Sequence, residues 1–267
     1  MSQPLPLPIR VLVKGASQVV WTSWMGGPRT DFAYPRVIEA ELYSAGRPAE
    51  VRCEAWPSAR TSQALKTWEK EVVRWSPDVI ILHFGQFEVV HLLLPWWMEI
   101  HAHSLKTRPG PVRDKYRYAL GRVWKAMARV QQFTDRRVNP TMFSNRPRRV
   151  AADLERLITR VRNIASPLVL VPDFIDPGTT YAKWFPGMHA RTQVMNATID
   201  ELIARIDHPD VRRFELRKLV ESMDLEGEPA PDGGHYTPEI HREVGRALAQ
   251  VILEWASDQP HLKTPTS

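Results

Sequence analysis

A short apolar segment in the first third of the chain constrains the fold most strongly. Residues 78–84 read DVIILHF and are followed by Gly85. Because both faces of this segment are apolar, it is typical of a central strand in a parallel sheet that helices cover on both sides. Four further segments have strand character and lie at residues 9–13, 50–55, 167–171 and 211–216.

Helical periodicity fills the intervals between these strands. In residues 61–75, apolar side chains recur at spacings of three and four, which is typical of an amphipathic helix. A last helix is predicted from Pro238, a residue type favoured at the first helical position, with Thr237 as its N-cap. The other predicted helices cover residues 34–42, 116–133, 148–165 and 188–206. Strands that alternate with helices indicate an α/β fold with a parallel sheet between two helical layers.

The domain organisation follows from the same alternation. No glycine- and serine-rich linker divides the sequence, so we interpret residues 9–257 as a single domain. Residues 1–8 contain prolines that fix φ and remove amide donors, and they are predicted to be extended. The stretch at about 88–147 breaks the alternation, and we interpret it as a helical insertion over one edge of the sheet. Residues 258–267 are polar and are predicted to form a flexible tail.

The composition excludes several classes of protein. Of the 267 residues 43% are hydrophobic and 25% are charged, so the chain is not disordered, collagen-like or a coiled coil. The net charge of +6 is not accompanied by a recognised nucleic-acid-binding motif, so no nucleic-acid partner is expected. Cys53 is the single cysteine and cannot form an internal disulfide. No apolar run has the length of a membrane span, and we expect a cytoplasmic protein.

No cofactor or metal ion is predicted either. His91, His101 and His103 are the side chains that suggest a metal site, but no acidic partner lies close to them in sequence. Two histidines separated by one residue also share a face only in a strand. We therefore expect no metal ligands in this chain.

Two short polar motifs are predicted to lie at one edge of the sheet. Ser17 ends the sequence GAS after the first strand, and Asp232 and His235 bracket two glycines in the sequence DGGH before the last helix. A tight glycine turn can return the carboxylate to the imidazole, which fixes the tautomer and leaves the other ring nitrogen as a general base. Sites in such sheets lie at the carboxyl ends of the strands, so we expect Ser17 and His235 to meet there.

These motifs resemble conserved blocks of the SGNH/GDSL hydrolases. The first strand with its GAS sequence, the strand that ends at Gly85 and the sequence DGGHYTP resemble the first, third and last blocks, in the same order. The resemblance implies a three-layer α/β/α sandwich with a flavodoxin-like sheet of about five strands, acting on a small-molecule ester. It implies that Ser17 is the nucleophile, His235 the base and Asp232 the orienting acid. Ala16 stands where the family usually has an aspartate, which is not the nucleophile.

The second block, which residues 56–61 match, and the third block depart from the family pattern at the oxyanion hole. This hole is the set of donors that stabilise the charge developing on the carbonyl oxygen. The backbone amides of Ser17 and Ser58 are candidate donors, although Ser58 stands where the family has a glycine. The third block usually supplies an asparagine, and this chain has Phe87 there, which cannot donate. Gln86, the preceding residue, is the candidate replacement.

The ten tryptophans form two groups along the sequence. Trp68, Trp75, Trp124 and Trp255 lie on helical stripes and are predicted to be core residues. Several others follow the motifs described above. With Phe87, they are predicted to line a pocket for a bulky or sugar-like substrate, or else to cover the insertion: Trp21, Trp24, Trp56 and Trp97.

Three functions remain open on the sequence. The favoured one is an ester hydrolase that forms an acyl-enzyme, and the second is an O-acyltransferase with the same triad. The third is a non-catalytic binding protein on the same fold, which the missing asparagine favours and the joint presence of Ser17, Asp232 and His235 opposes. The sequence leaves open the acyl group, the alcohol and the oligomeric state.

Overall fold

A parallel sheet forms the centre of the molecule. The computed structural model describes residues 7–20, 33–57, 59–90, 92–93, 95, 97–98, 101, 110–138 and 145–262. Across those residues, five parallel strands pair in the order β2-β1-β3-β4-β5. The strands are β1 (Ile9–Gly15), β2 (Ala49–Ala55), β3 (Val79–His83), β4 (Leu168–Pro172) and β5 (Val211–Phe214).

Helices cover both faces of this sheet. On one face α2, α9 and α10 share a core, and on the other α3, α6 and α8 share a second core. The described helices are α1 (Ser17–Val20), α2 (Tyr34–Ser44), α3 (Thr61–Trp68), α4 (Gln86–Val90), α5 (Pro111–Asp135), α6 (Arg146–Arg162), α7 (Thr179–Trp184), α8 (Met188–Ile206), α9 (Leu216–Glu221) and α10 (Pro238–Asp258). The molecule is a three-layer α/β/α sandwich with flavodoxin-like strand order, which confirms the predicted fold class.

Alternation along the central strand explains why its sequence is apolar throughout. Val79 and Ile81 point into the core below α2 and α10, whereas Ile80 and Leu82 point into the core below α6 and α8. All four side chains are at most 1% exposed. Each face therefore contributes its own hydrophobic stabilisation, and β3 holds the two halves of the sandwich together.

The structure differs from the sequence prediction at several element ends. The helix predicted for 116–133 begins earlier, at Pro111, because proline is tolerated in the first turn, where its missing amide has no intrahelical partner. The strand predicted for 211–216 ends at Phe214, and Leu216 already begins α9. The helix predicted for 61–75 changes to a π-helical turn at Glu69–Val73.

The last described residues pack onto the domain. Pro260–Leu262 form a 3-10 turn, the Leu262 side chain is buried, and the Arg47 guanidinium donates to the Leu262 carbonyl at 2.9 Å. Part of the predicted tail is therefore held by a specific contact. Among the helices that the structure describes, none combines the length and apolar composition needed to cross a bilayer.

Candidate active site

Ser17 lies directly beyond β1, at the carboxyl edge of the sheet, where it begins α1. The turn is attached to β3, because the amide of Ala16 and the side-chain amide of Gln18 both donate to the carbonyl oxygen of His83, at 3.4 and 3.2 Å. Gly15 permits this approach, since a Cβ there would lie 2.8 Å from the same oxygen. The half-buried serine side chain is thereby held on a fixed backbone at the rim of the sheet.

Asp232 and His235 lie in a four-residue loop just before α10. One carboxylate oxygen of Asp232 accepts hydrogen bonds from the amides of Gly234 and His235, at 3.0 and 2.8 Å. Its other oxygen lies 2.6 Å from Nδ1 of the His235 ring. Gly233 has φ +102°, a conformation that favours glycine, and it lets the loop fold back on itself. The acid therefore positions both the backbone and the ring of the histidine.

The loop of Asp232 and His235 meets the turn that carries Ser17 at the sheet edge. Nε2 of His235 lies 2.9 Å from Oγ of Ser17, and the two residues are 218 positions apart in the chain. Partial burial alone would raise the pKa of Asp232, but the hydrogen bonds from His235 and the backbone amides outweigh it and lower that pKa. An ionised Asp232 accepts a hydrogen bond from the N–H group at Nδ1, so Nε2 is left as the acceptor for the Ser17 hydroxyl. In this arrangement, Nε2 of His235 is within reach of the proton on the Ser17 hydroxyl.

Comparison with solved structures gives the same architecture over more than nine tenths of the chain. A lipase/acylhydrolase from Enterococcus faecalis superposes with TM-score 0.60 at 14% identity, covering 97% of this chain and 100% of that one. A carbohydrate acetylesterase family member from Sinorhizobium meliloti gives TM-score 0.59 at 15% identity, with coverages of 92% and 98%. A GDSL-like lipase from Bacteroides thetaiotaomicron gives 0.56 at 11%, with coverages of 96% and 93%.

The chain has the SGNH/GDSL hydrolase fold. No protein-family model matches its sequence, and no curated protein sequence matches it either. The similarity to the solved structures therefore lies in the architecture. The sequence identities are too low to infer the substrate of this chain from theirs. The chemistry of the site is therefore inferred from the residues at the sheet edge.

The third block of this SGNH/GDSL fold is attached to the loop of the acid and base. The side-chain amide of Gln86 donates to the carbonyl of Gly234 at 3.0 Å, inside the protein. Within the described part of the chain, no acceptor takes the second N–H of that amide. Phe87 is half-buried, and Ser58, the other predicted oxyanion residue, lies outside the described residues. Gln86 therefore holds the loop while retaining one donor.

Glu88 joins the second and third blocks. One of its carboxylate oxygens accepts from the amide of Thr61, at the start of α3, at 3.3 Å. Its backbone carbonyl accepts from the Arg146 guanidinium at 3.1 Å. Burial raises the pKa of Glu88, although Arg60, Arg146 and the backbone amides oppose that effect. The side chain of Glu88 fixes the start of α3 relative to α4.

The tryptophans predicted to line a pocket lie in different environments. Trp56 is half-buried and packs on the core below α3, whereas 65% of Trp97 is exposed. Trp21 and Trp24 lie outside the described residues. Of the predicted core tryptophans, Trp75 and Trp255 are buried, and Trp68 and Trp124 are half-buried.

Tyr181 of α7 is a site residue that the sequence analysis missed. Its ring lies over the glycine pair: a Cβ on Gly233 would meet Tyr181 at 2.3 Å, and one on Gly234 would meet it at 3.0 Å. Burial, with the Asp232 carboxylate, raises the pKa of Tyr181 to about 12, so the hydroxyl stays protonated. Two adjacent glycines signal a close approach of another group, but they do not identify it.

Among the described residues, the reactive side chains of Cys53 and His189 lie in other environments. Cys53 lies on β2, and burial raises the pKa of its thiol to about 12, which leaves it unreactive at neutral pH. His189 lies 2.9 Å from Asp176, and both side chains are more than half exposed. Among the described residues, no three or more histidines, cysteines or carboxylates form a group that could hold a metal ion.

Proposed function

We propose that the chain is a serine esterase that hydrolyses a carboxylic ester through Ser17, His235 and Asp232. The observation that carries the proposal is the continuous chain of contacts from Ser17 Oγ to His235 Nε2 at 2.9 Å and from His235 Nδ1 to Asp232 at 2.6 Å. A nucleophile, a base and an orienting acid in hydrogen-bond reach of one another are what acyl transfer requires. The SGNH/GDSL fold supports the proposal, because solved structures that share it are named lipase, acylhydrolase and acetylesterase.

The chemistry follows from these contacts. Ser17 Oγ attacks the ester carbonyl while His235 Nε2 takes its proton, and the carbonyl oxygen becomes negatively charged. The tetrahedral intermediate collapses, the bond between the acyl carbon and the alcohol oxygen breaks, and His235 gives the proton to the leaving alkoxide. Water, deprotonated by His235, then attacks the acyl-enzyme and releases the acid and Ser17. Asp232 stabilises the imidazolium at both stages.

The oxyanion hole is proposed to use the backbone amides of Ser17 and Ser58, with Gln86 as a third donor. The contact of Gln86 with the carbonyl of Gly234, next to His235, supports this role. Losing one such donor typically costs about 2.7–4 kcal/mol of transition-state stabilisation. The proposal therefore predicts an active site that keeps most of its catalytic power without the usual asparagine.

The substrate class is proposed to be a small ester on a bulky or sugar-like alcohol. Solved neighbours from Sinorhizobium meliloti are named as carbohydrate acetylesterases. Aromatic side chains also lie near the site, with Tyr181 over the glycine turn and Phe87 in the third block. Hydrolysis of per-acetylated glucose, measured against p-nitrophenyl acetate, tests whether a sugar moiety raises kcat/KM.

Active-site labelling tests the nucleophile. A fluorophosphonate probe is expected to label the wild-type chain at Ser17, identified by mass spectrometry of the modified peptide, and not to label Ser17→Ala. Ser222→Ala is the matched control, because that serine is exposed and its hydroxyl donates to the Leu219 carbonyl within its own helix end. Equal labelling of Ser17→Ala and wild type would refute the assignment, as would a wild-type chain that neither labels nor releases p-nitrophenol.

A further inference from the structure

Helix α5 carries an exposed apolar stripe with heptad spacing. Seven residues follow one another at alternating intervals of four and three positions, and none of them is polar or charged except for a tyrosine hydroxyl. Every one is exposed, with Val112 at 79%, Val123 at 50% and Val130 at 54%. We call this stripe the exposed seam: Val112, Tyr116, Ala119, Val123, Ala126, Val130 and Phe133.

The opposite flank of α5 attaches the helix to the domain. Leu120 is buried against Met98, and Trp124 and Met127 pack on the same small cluster. The Gln131 side-chain amide donates to the Val90 carbonyl at 2.8 Å, inside the protein. This flank attaches the helix without the exposed seam. Within the seam, Tyr116 contacts the ring of His101 and Phe133 contacts the Arg137 guanidinium, and both seam residues remain exposed.

A row of basic residues borders the exposed seam on its free side. Lys115, Arg122 and Arg129 recur every seven residues, and all three are exposed. No carboxylate in the described part of the chain pairs with any of them. We call them the basic row. These three positive charges beside an apolar stripe form a positively charged interaction surface.

We propose that the exposed seam and the basic row form a docking site for an acidic amphipathic helix of a partner protein. Apolar residues at alternating four- and three-residue spacing are what a second helix needs to insert its own side chains along a shared seam. Charges that flank such a seam select the partner, so the basic row calls for glutamate or aspartate on the facing positions. The seam, from Val112 to Phe133, matches a partner helix of about three heptads, or roughly 32 Å at the rise of an α-helix.

Two other occupants fit less well. In an antiparallel pair of two copies, the basic row of one copy would face that of the other, and in a parallel pair it would face Leu120 and Met127, which already pack on their own domain. A bilayer surface favours a wide apolar face rich in tryptophan, phenylalanine and leucine. The exposed seam instead is narrow and consists mainly of valine and alanine.

A peptide-binding experiment tests the proposal on the full-length chain. The probe is a fluorescent three-heptad peptide with leucine at the seam positions and glutamate at both flanking positions, which keeps it from pairing with itself. Fluorescence anisotropy at low ionic strength is expected to show binding, and the same peptide with lysine in place of glutamate is expected not to bind. Val123→Glu is expected to weaken binding at least tenfold, whereas Tyr118→Glu, an exposed site off the seam, leaves it unchanged.

Charge reversal makes the test specific. The double variant Arg122→Glu/Arg129→Glu is expected to lose the glutamate peptide and to bind the lysine peptide, while Lys125→Glu, off the row, behaves as wild type. Equal affinities of wild type and Val123→Glu would overturn the proposal, as would failure of the glutamate peptide to bind. A dimer in analytical ultracentrifugation that Val123→Glu abolishes would assign the seam to a second copy. Co-sedimentation with phosphatidylserine vesicles in place of peptide binding would assign it to a membrane.

Discussion

Two histidines at the same edge of the sheet show how one side chain is used in two ways. His235 lies between a carboxylate and the Ser17 hydroxyl, and 17% of its side chain is exposed. His83, at the end of β3, is fully buried, and its Nδ1 and Nε2 lie 3.2 and 3.3 Å from the hydroxyls of Tyr34 and Tyr236. Only the first has a partner that stabilises a positive charge.

The charged groups around His83 explain why its role differs from that of His235. Burial lowers the pKa of His83 to about 3, helped by the positive field of Arg213 and by His241, so its ring stays neutral. A neutral imidazole has one donor and one acceptor, which match the two tyrosine hydroxyls. His83 thereby connects α2, β3 and the residue after His235. The contact with Asp232 therefore makes His235 the candidate base, whereas His83 acts as a structural residue.

The largest expected effect separates the two histidines by activity. His235→Gln is expected to lower kcat for p-nitrophenyl acetate by about 10⁵–10⁶-fold, because it removes the base from a cooperating triad. His83→Gln keeps a donor and an acceptor and is expected to lower kcat by less than about tenfold, since it acts only through position. Comparable losses in the two variants, both shown to be folded by circular dichroism, would remove the distinction.

The next effect concerns the acid. Asp232→Asn is expected to lower kcat by about 10⁴-fold, because an amide no longer stabilises the imidazolium and does not fix the correct tautomer. The backbone bonds to Gly234 and His235 can persist with the amide oxygen as acceptor. Activity of Asp232→Asn within tenfold of wild type would place the orienting acid elsewhere.

The pH dependence of protein stability also distinguishes His83 from His235. Because the folded-state pKa of His83 is about 3 and the unfolded value is about 6.5, the unfolded chain binds one more proton between these values. The neutral, buried His83 therefore makes its full contribution to the free energy of unfolding above pH 6.5. That contribution falls by about 1.4 kcal/mol per pH unit as the pH drops towards 3. Urea titrations from pH 7 to pH 4 measure the slope, and His83→Gln is expected to reduce it by that amount. Equal slopes would contradict a neutral buried His83.

Gln86 tests whether a polar contact supports the site or only the fold. Gln86→Leu leaves the Gly234 carbonyl without its donor and is expected to lower the free energy of unfolding by about 1–3 kcal/mol and also to lower kcat/KM. Gln131 is the matched control, because it is also buried and bonds to backbone groups of residues 90 and 92, away from the triad. Gln131→Leu is expected to lose similar stability while kcat/KM stays unchanged. If both variants lose kcat/KM equally, Gln86 has no special link to the base.

The smallest expected effect comes from one phenol. Tyr236→Phe removes the hydroxyl that contacts His83 Nε2 and is expected to lower the free energy of unfolding by about 1 kcal/mol, with little change in kcat. Urea unfolding and ester hydrolysis measured on the same preparation check both statements. A large loss of kcat with unchanged stability would show that the buried network acts on the chemistry.

The sequence predicted some parts of this molecule better than others. The apolar strands and the motifs of Ser17 and His235 could be located because each depends on a local pattern. The roles of Tyr181 and His83, and the bond of Gln86 to Gly234, depend on contacts between distant segments, and periodicity carries no information on such contacts. The start of α5 at Pro111 was missed because proline reads as a loop former unless the helix that follows it is already known. The proposed roles of Ser58, Trp21 and Trp24 stay predictions, since they lie outside the described residues.

The separation of Ser17 and His235 along the chain has a consequence for synthesis. Acid and base are neighbours in one loop and take their mutual arrangement locally, whereas the serine is made 218 positions earlier. On the ribosome, β1 and the nucleophile turn emerge long before the loop that activates them. If the proposed chemistry is right, the nascent chain stays inert towards esters until α10 has left the ribosome and packed against α2. Esterase activity then appears only after α10 has completed the helical layer that it shares with α2 and α9.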